Sequence, residues 1–270
     1  MPENDHVFVG AVPEVYDDYL VPLIFECYAN DLARRVASRD PAAVLETAAG
    51  SGVVTRAVAP CLRADAHYAV SDLNPPMLER ARARQPDDAR IGWAQADATA
   101  LPYDDASFDM VICQFGVMFF PDRVQGYREA RRVLRPGGAF VFNVWDRIED
   151  NVFADLATRA AADCFPDNPP RFLTRTPHGY HDTLDIAADL RSAGFADFDI
   201  ETITDESPAP SPLQPAIAYC QGTPLRDEIL LRDPDALQRV TAAAAARIGD
   251  AHGPGPVTAR IQAHVITAVR

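Results

Sequence analysis

Between residues 42 and 146 the chain alternates two hydrophobic periods. Short apolar runs, AVLETA, AHYAVSD, RIGWAQAD, FDMVICQF and AFVFNVWD, read as strands. The stretches VVTRAVAPCLR, NPPMLERARAR and residues 122–134, which lie among them, read as helices. Pro75 and Pro76 pre-shape the start of the second helix, and RPGG at 135–138 supplies a stop for the third and the turn into the next strand. Strands alternating with helices predict an α/β fold, a parallel sheet with helices on both faces.

After residue 147 the pattern changes. AADLRSAGFADFDIETIT reads as a helix, a glycine stop and an alternating strand. VTARIQAHVITAV alternates as well, with Val257, Ala259, Ile261, Ala263 and Val265 on one face. Between these strands lie a proline-rich loop, SPAPSPLQP, and a helical stretch to about Gly249, expected as a helical insertion at about 206–250 that covers the sheet. The whole of 1–270 therefore reads as one domain: an N-terminal helical segment 1–40, a core at 41–147 and a C-terminal part at 148–270. The N-terminal segment, PEVYDDYLVPLIFECYANDLARRVA, is amphipathic and aromatic. It is either a helix packed on the core or a lid that turns Tyr16 and Tyr19 toward a ligand.

Composition narrows the partners. A net charge of −14 over 270 residues repels phosphodiester backbones, so no nucleic-acid partner is expected. The basic run at 128–135 reads as a solvated helix face. Cys27, Cys61, Cys113, Cys164 and Cys220 are scattered, without a C-x-x-C, and read as small hydrophobes. MPENDHVFVG lacks the basic and then apolar run of a signal peptide, and no apolar stretch approaches the ~20 residues of a spanning helix. A cytoplasmic protein without a membrane span is expected; a homodimer is compatible with the sequence but not indicated by it.

The chemistry-bearing signals sit at strand ends. VLETAAGSG, residues 44–52, is a strand, a turn of small residues and a helix start, where backbone can approach a ligand closely and free N–H groups favour negative charge. Glu46 stands at the carboxyl end of that strand, the edge where open α/β sheets bind ligands. A dinucleotide fingerprint needs G-x-G-x-x-G; here Gly50 and Gly52 are present but Thr55 holds the third place. An acid before the loop suits a ligand with a cationic amino group, which tilts the reading from NAD toward S-adenosylmethionine. Asp72 ends the second strand, where a carboxylate can accept from both ribose hydroxyls of either nucleotide. Asp97 ends the third, placed for an exocyclic amine.

Taken in order, VLETAAGSG, VSDLNPPML, ADATALPYDDASFDMVICQFGVMFFPD and EARRVLRPGGAFVF resemble the type-11 methyltransferase family, the group that includes ubiquinone/menaquinone-biosynthesis methyltransferases. The resemblance covers roughly residues 40–147. It implies a Rossmann-like seven-stranded sheet, mostly parallel with an antiparallel last strand and helical cap elements, and S-adenosylmethionine as cofactor. It also implies that Glu46, Ala48, Gly50 and Gly52 hold the methionine moiety and that Asp72 takes the ribose. Leu73 and Met77 flank the adenine, Asp97 and Ala98 meet it, and Gln114 ends the fourth strand beside the sulfonium. Two positions depart from the family pattern: Glu46 replaces the commoner aspartate, and Ala48 replaces the first loop glycine.

The implied reaction moves a methyl group in line to a small-molecule acceptor. A base is needed only where the acceptor loses a proton. His178 and His181, in TRTPHGYHD, are candidates for that role, with Tyr180 as another acceptor contact; polar loop residues facing solvent are the plainer reading. H-x-x-H here lies in a loop beside Pro177 and Gly179 without a matching acid pair, so no metal is expected. Phe115, Met118, Phe119, Phe120, Trp145, Phe172 and Tyr219 suggest an apolar or aromatic acceptor. The alternatives are a nicotinamide-dependent oxidoreductase and a non-catalytic regulatory protein that retains the nucleotide-binding fold.

Overall fold

The computed structural model describes residues 12–270, with side chains from Glu14 onward, so residues 1–11 of the expected N-terminal segment lie outside the described residues. Seven strands form one sheet: β1 (Ala43–Glu46), β2 (His67–Asp72), β3 (Ile91–Gln95), β4 (Phe108–Gln114), β5 (Leu134–Trp145), β6 (Asp197–Ala209) and β7 (Val257–Val269). Their order is β3-β2-β1-β4-β5-β7-β6. The first five run parallel, with helices in the connections from β1 to β2, β2 to β3 and β4 to β5. β7 runs against β5: Gly137 N donates to Arg270 O at 3.1 Å, while Asp146 N donates to Gln262 O at 3.1 Å. The expected antiparallel last strand is present.

By its contacts the chain divides into two compact units. The larger comprises Glu26–Val144, Tyr180–Ile203 and Ala263–Arg270. Here β1 is buried along its whole length, which explains its continuous apolar run. On one sheet face Val44, Val70, Ile112 and Val141 pack in a core with Leu32 and Val36 of the helix Glu26–Arg39 and Val54 and Val58 of the helix Val53–Val58. On the other face Phe140 and Phe142 meet Tyr127 of the helix Arg123–Val133, at ring separations of 5.6 and 5.1 Å. Helices thus cover both faces. Asp122 caps that last helix by accepting from Gln125 N at 2.9 Å.

Three local readings change. RPGG is no connection between elements but a bulge within β5, since Phe108 pairs with Leu134 and Met110 already pairs with Ala139; Gly137 takes φ 80° there. The basic run at 128–135 is not simply a solvated face: Arg132 bonds Glu129, Asp105 and the carbonyls of Leu101 and Tyr103. The glycine stop of the helix Thr183–Ser192 is a paired cap, with Phe195 N donating to Leu190 O and Gly194 N to Arg191 O, both at 3.0 Å.

The second unit comprises the segment ending at Phe25, Trp145–Gly179 and Thr204–Gln262. It is mostly helical, with Val152–Cys164, Leu213–Gln221, Leu225–Arg232 and Leu237–His252 beside the π-helical Tyr16–Phe25. Three of these helices lie between β6 and β7 in the chain. The proline-rich stretch shrinks to a connection at 210–212, because β6 continues to Ala209 and a helix begins at Leu213. Pro208 is tolerated because β6 is the sheet edge. No helix among the described residues is long and apolar enough to cross a membrane.

Candidate cofactor site

The strand register brings four polar side chains onto one sheet face. Glu46 pairs with Val70 and with Ile112, Ile112 pairs with Val141, and Gln114 pairs with Asn143. Side chains two residues apart share a face. Asp72, Gln114 and Asn143 therefore continue the rows of Val70, Ile112 and Val141, one step nearer the carboxyl ends of the strands. An apolar face that packs against helices turns polar over two successive levels of four adjacent strands, Glu46 standing one step before Asp72, Gln114 and Asn143.

The loop after β1 rises beside this polar row. Ala48, Gly50 and Gly52 all have left-handed backbone, at φ 52°, 57° and 80°. A Cβ added to Gly52 would stand 2.9 Å from the Cβ of Ala81, so only glycine lets the loop pass the helix Pro75–Arg84. Gly50 is half-buried, with the Met77 methyl 3.7 Å from where a Cβ would be. The loop and β2 are tied together by Asp72, whose Oδ2 accepts from Gly50 N at 2.7 Å and whose Oδ1 accepts from Asn74 N at 2.7 Å. Each oxygen keeps acceptor capacity for a further donor. Burial raises the carboxyl of Asp72 above its ordinary range, and the N–H groups of Asn74 and Gly50 oppose that shift.

Glu46 is 1% exposed and turned into the protein. Its Oε2 accepts from the hydroxyls of Thr55, at 2.7 Å, and Tyr68, while Oε1 is buried with no hydrogen-bond partner among the described residues. Burial pushes its carboxyl up to about 7, against the pull of Tyr68 and Thr55. A buried acceptor left unbonded is costly. An orphan carboxylate oxygen beside a left-handed loop, together with the spare acceptor capacity of Asp72, fits a ligand that carries an ammonium and a diol.

Other expected residues are placed as follows. Leu73 is exposed and Met77 is buried. Asp97 is exposed on the connection after β3, where its Oδ1 accepts from Thr99 N and Oγ1; Ala98 is half-buried beside it. Gln114 is half-buried at the end of β4. Tyr180 is committed to structure, its hydroxyl donating to Asp189 Oδ2 at 2.8 Å and lying 3.2 Å from the hydroxyl of Tyr127, with Arg123 over its ring. Thr55, Tyr68 and Asn143 were not anticipated. Thr55 was weighed only as a missing glycine, and a tyrosine inside an apolar strand gives no local signal of a carboxylate partner.

The second unit holds Tyr19, half-buried on the π-helical turn, and His178. His178 is 5% exposed, with Nδ1 2.8 Å from the carbonyl of Asp146. It closes an aromatic series: Tyr16 stacks on Phe25 at 5.1 Å, Phe25 lies 5.9 Å from Trp145, and Trp145 lies 6.0 Å from His178. His181 is half-buried and belongs to the larger unit.

A family described as a methyltransferase domain matches residues 45–142, which span β1 to β5 and the whole polar row except Asn143. A demethylmenaquinone methyltransferase of Clavibacter sepedonicus is 31% identical over 190 residues, covering 65% of this chain and 76% of that one. An uncharacterized protein of Mycobacterium tuberculosis is 44% identical over 96 residues, about a third of each chain. A putative methyltransferase from Bacillus halodurans shares the fold, with a TM-score of 0.57 at 18% identity over 89% of this chain and 97% of that one. The nicotinamide and non-catalytic alternatives give way to this match. The chain belongs to the type-11 methyltransferase family, enzymes whose cofactor is S-adenosylmethionine.

Proposed function

We propose that this methyltransferase acts on a small aromatic acceptor of the quinol or phenol class, and that the polar row with its loop holds the cofactor. The observation that carries the acceptor class is the aromatic series Tyr16–Phe25–Trp145–His178. Flat, apolar surfaces of this kind favour aromatic partners in offset contact. The methyltransferase of Clavibacter sepedonicus, by its name, acts on demethylmenaquinone. A net charge of −14 favours an uncharged acceptor over a polyanion.

In this reading Glu46, Ala48, Gly50 and Gly52 hold the methionine moiety and Asp72 accepts from the ribose. Leu73, Met77, Asp97 and Ala98 serve the adenine, Gln114 serves the sulfonium end, and Tyr19 is a further cofactor contact. The cofactor supplies an electrophilic methyl on a sulfonium. The chain's own task is to hold acceptor and methyl in line and to keep water out. His178 takes the acceptor's proton. Its Nδ1 lies against a carbonyl, which only accepts, so the neutral ring carries its hydrogen on Nδ1 and its lone pair on Nε2. His181 is the second candidate for that proton.

The test is a panel of quinols, catechols and simple phenols against primary and secondary amines of similar size, read by release of S-adenosylhomocysteine. Turnover confined to the hydroxylated aromatics supports the assignment. Turnover confined to the amines overturns it.

A further inference from the structure

Asn143 is the member of the polar row that no motif flagged. It lies in β5, is fully buried, and its Oδ1 accepts from Phe115 N at 2.9 Å. Its own main-chain carbonyl lies 3.2 Å from the same N–H. One residue thus offers two acceptors to a single backbone donor, while Asn143 Nδ2 stays buried with no hydrogen-bond partner among the described residues. Such an arrangement is uneconomical unless the Phe115 bond matters, because an unbonded buried amide is a cost that an apolar side chain would avoid.

The bond falls at a point of backbone strain. Phe115 has φ 49°, a left-handed conformation that a bulky residue rarely adopts. That conformation turns the chain out of β4 directly after Gln114 and carries Gly116 under the loop. A Cβ on Gly116 would stand 2.5 Å from the Cβ of Ala48 and 2.7 Å from Cys113 Sγ, so the end of β4 and the glycine loop are in contact with no slack. Phe115 also meets Tyr28 edge-on at 5.2 Å, which fixes its ring. An aspartate at 143 would serve the same N–H, but on a face that already buries the carboxylates of Glu46 and Asp72. An amide supplies the acceptor without a third charge.

We infer that Asn143 is a positioning residue for the cofactor: by holding Phe115 in its left-handed turn it sets Gly116 against Ala48, and through that contact the shape of the loop from Ala48 to Gly52. This rests on the proposal that the loop and Asp72 bind the cofactor. Asn143 is fully buried, and its part in the site runs through its bond to Phe115 N.

Two near-isosteric variants separate the possibilities, with S-adenosylhomocysteine titrated calorimetrically into each full-length protein and thermal unfolding measured in parallel. N143L removes the acceptor; N143D keeps an oxygen in its place. N143L is expected to fold and to bind about tenfold more weakly than wild type, and N143D to bind within about threefold of it. If N143L does not fold, N143A is read in its place. Binding by the acceptor-less variant within twofold of wild type overturns the inference, as does equal weakening in N143L and N143D. Failure of both N143L and N143A to fold overturns it too, since Asn143 is then a stability residue. A wild type that does not bind S-adenosylhomocysteine at all instead sinks the underlying assignment of the loop.

Discussion

Ala48 and Gly116 share a space with room for one methyl group: a Cβ on Gly116 would stand 2.5 Å from the Cβ of Ala48. The family's first loop glycine is alanine in this chain, held at φ 52°, a conformation that costs an L-residue about 1–2 kcal/mol. Gly116 has φ −102°, which any residue can adopt, so its glycine is required by space and not by conformation. Gly116→Ala should therefore act through overpacking alone, typically ~1–3 kcal/mol, and weaken S-adenosylhomocysteine binding about tenfold. Adding Ala48→Gly should recover most of that loss, leaving a remainder from Cys113 Sγ at 2.7 Å. Additive single and double variants in calorimetric titration would show that the two residues do not interact.

The elements signalled locally were the legible ones. β1, β2 and β4 follow from apolar runs and glycines that act within a few residues of themselves. Three of the four members of the polar row were legible: Glu46, Asp72 and Gln114 stand at strand ends that the motifs mark. Asn143 needed the pairing register, because its role depends on a neighbour 28 positions away. Tyr68 was hidden for the same reason, its phenol reaching a carboxylate 22 positions back. Tyr180 shows the converse: a polar residue in a promising loop is bound up with Tyr127, Asp189 and Arg123, none of which is near it in an obvious pattern.

Under the proposed assignment Asp72 joins structure and recognition in one carboxylate. Loss of its side chain frees the N–H groups of Gly50 and Asn74 and removes the acceptors offered to the ribose. Hydrogen bonds to a charged group contribute about 1.5–3 kcal/mol each. Asp72→Ala is expected to weaken S-adenosylhomocysteine binding by roughly 10²–10³-fold. Asp72→Asn keeps the shape and one acceptor and should fall between. Affinity of the alanine variant within threefold of wild type, in the same titration, would remove Asp72 from the site.

Glu46 makes both stability and binding depend on pH, in opposite senses. Its folded carboxyl holds a proton up to about pH 7, whereas the unfolded one releases it near 4.5. Between those values the folded state binds the extra proton, so raising the pH through this window favours unfolding; above about 7 both states are ionised and the effect levels off. The full difference is on the order of 3 kcal/mol. Binding runs the other way, because the ionised carboxylate suits the cofactor's ammonium. From pH 6 to 8 the wild type should lose melting temperature relative to Glu46→Gln while its cofactor affinity rises. Parallel melting and affinity profiles for the two proteins would show that Glu46 does not titrate in this range.

His178 can be tested by letting the acceptor supply what the base would. A positioned general base contributes about 10²–10⁴-fold, and only where a proton must leave. With an ordinary phenol, His178→Ala should lower kcat by about that factor while leaving S-adenosylhomocysteine affinity unchanged. With an acidic phenol, already ionised at neutral pH, the same variant should turn over within a few-fold of wild type. His181→Ala should lose less with either acceptor, since His178 is the member of the aromatic series and His181 is not. A structural role for His178, bracing Trp145 and the carbonyl of Asp146, would slow both acceptors alike. Equal losses with the ordinary and the acidic phenol would therefore assign His178 to the scaffold and return the search for a base to His181.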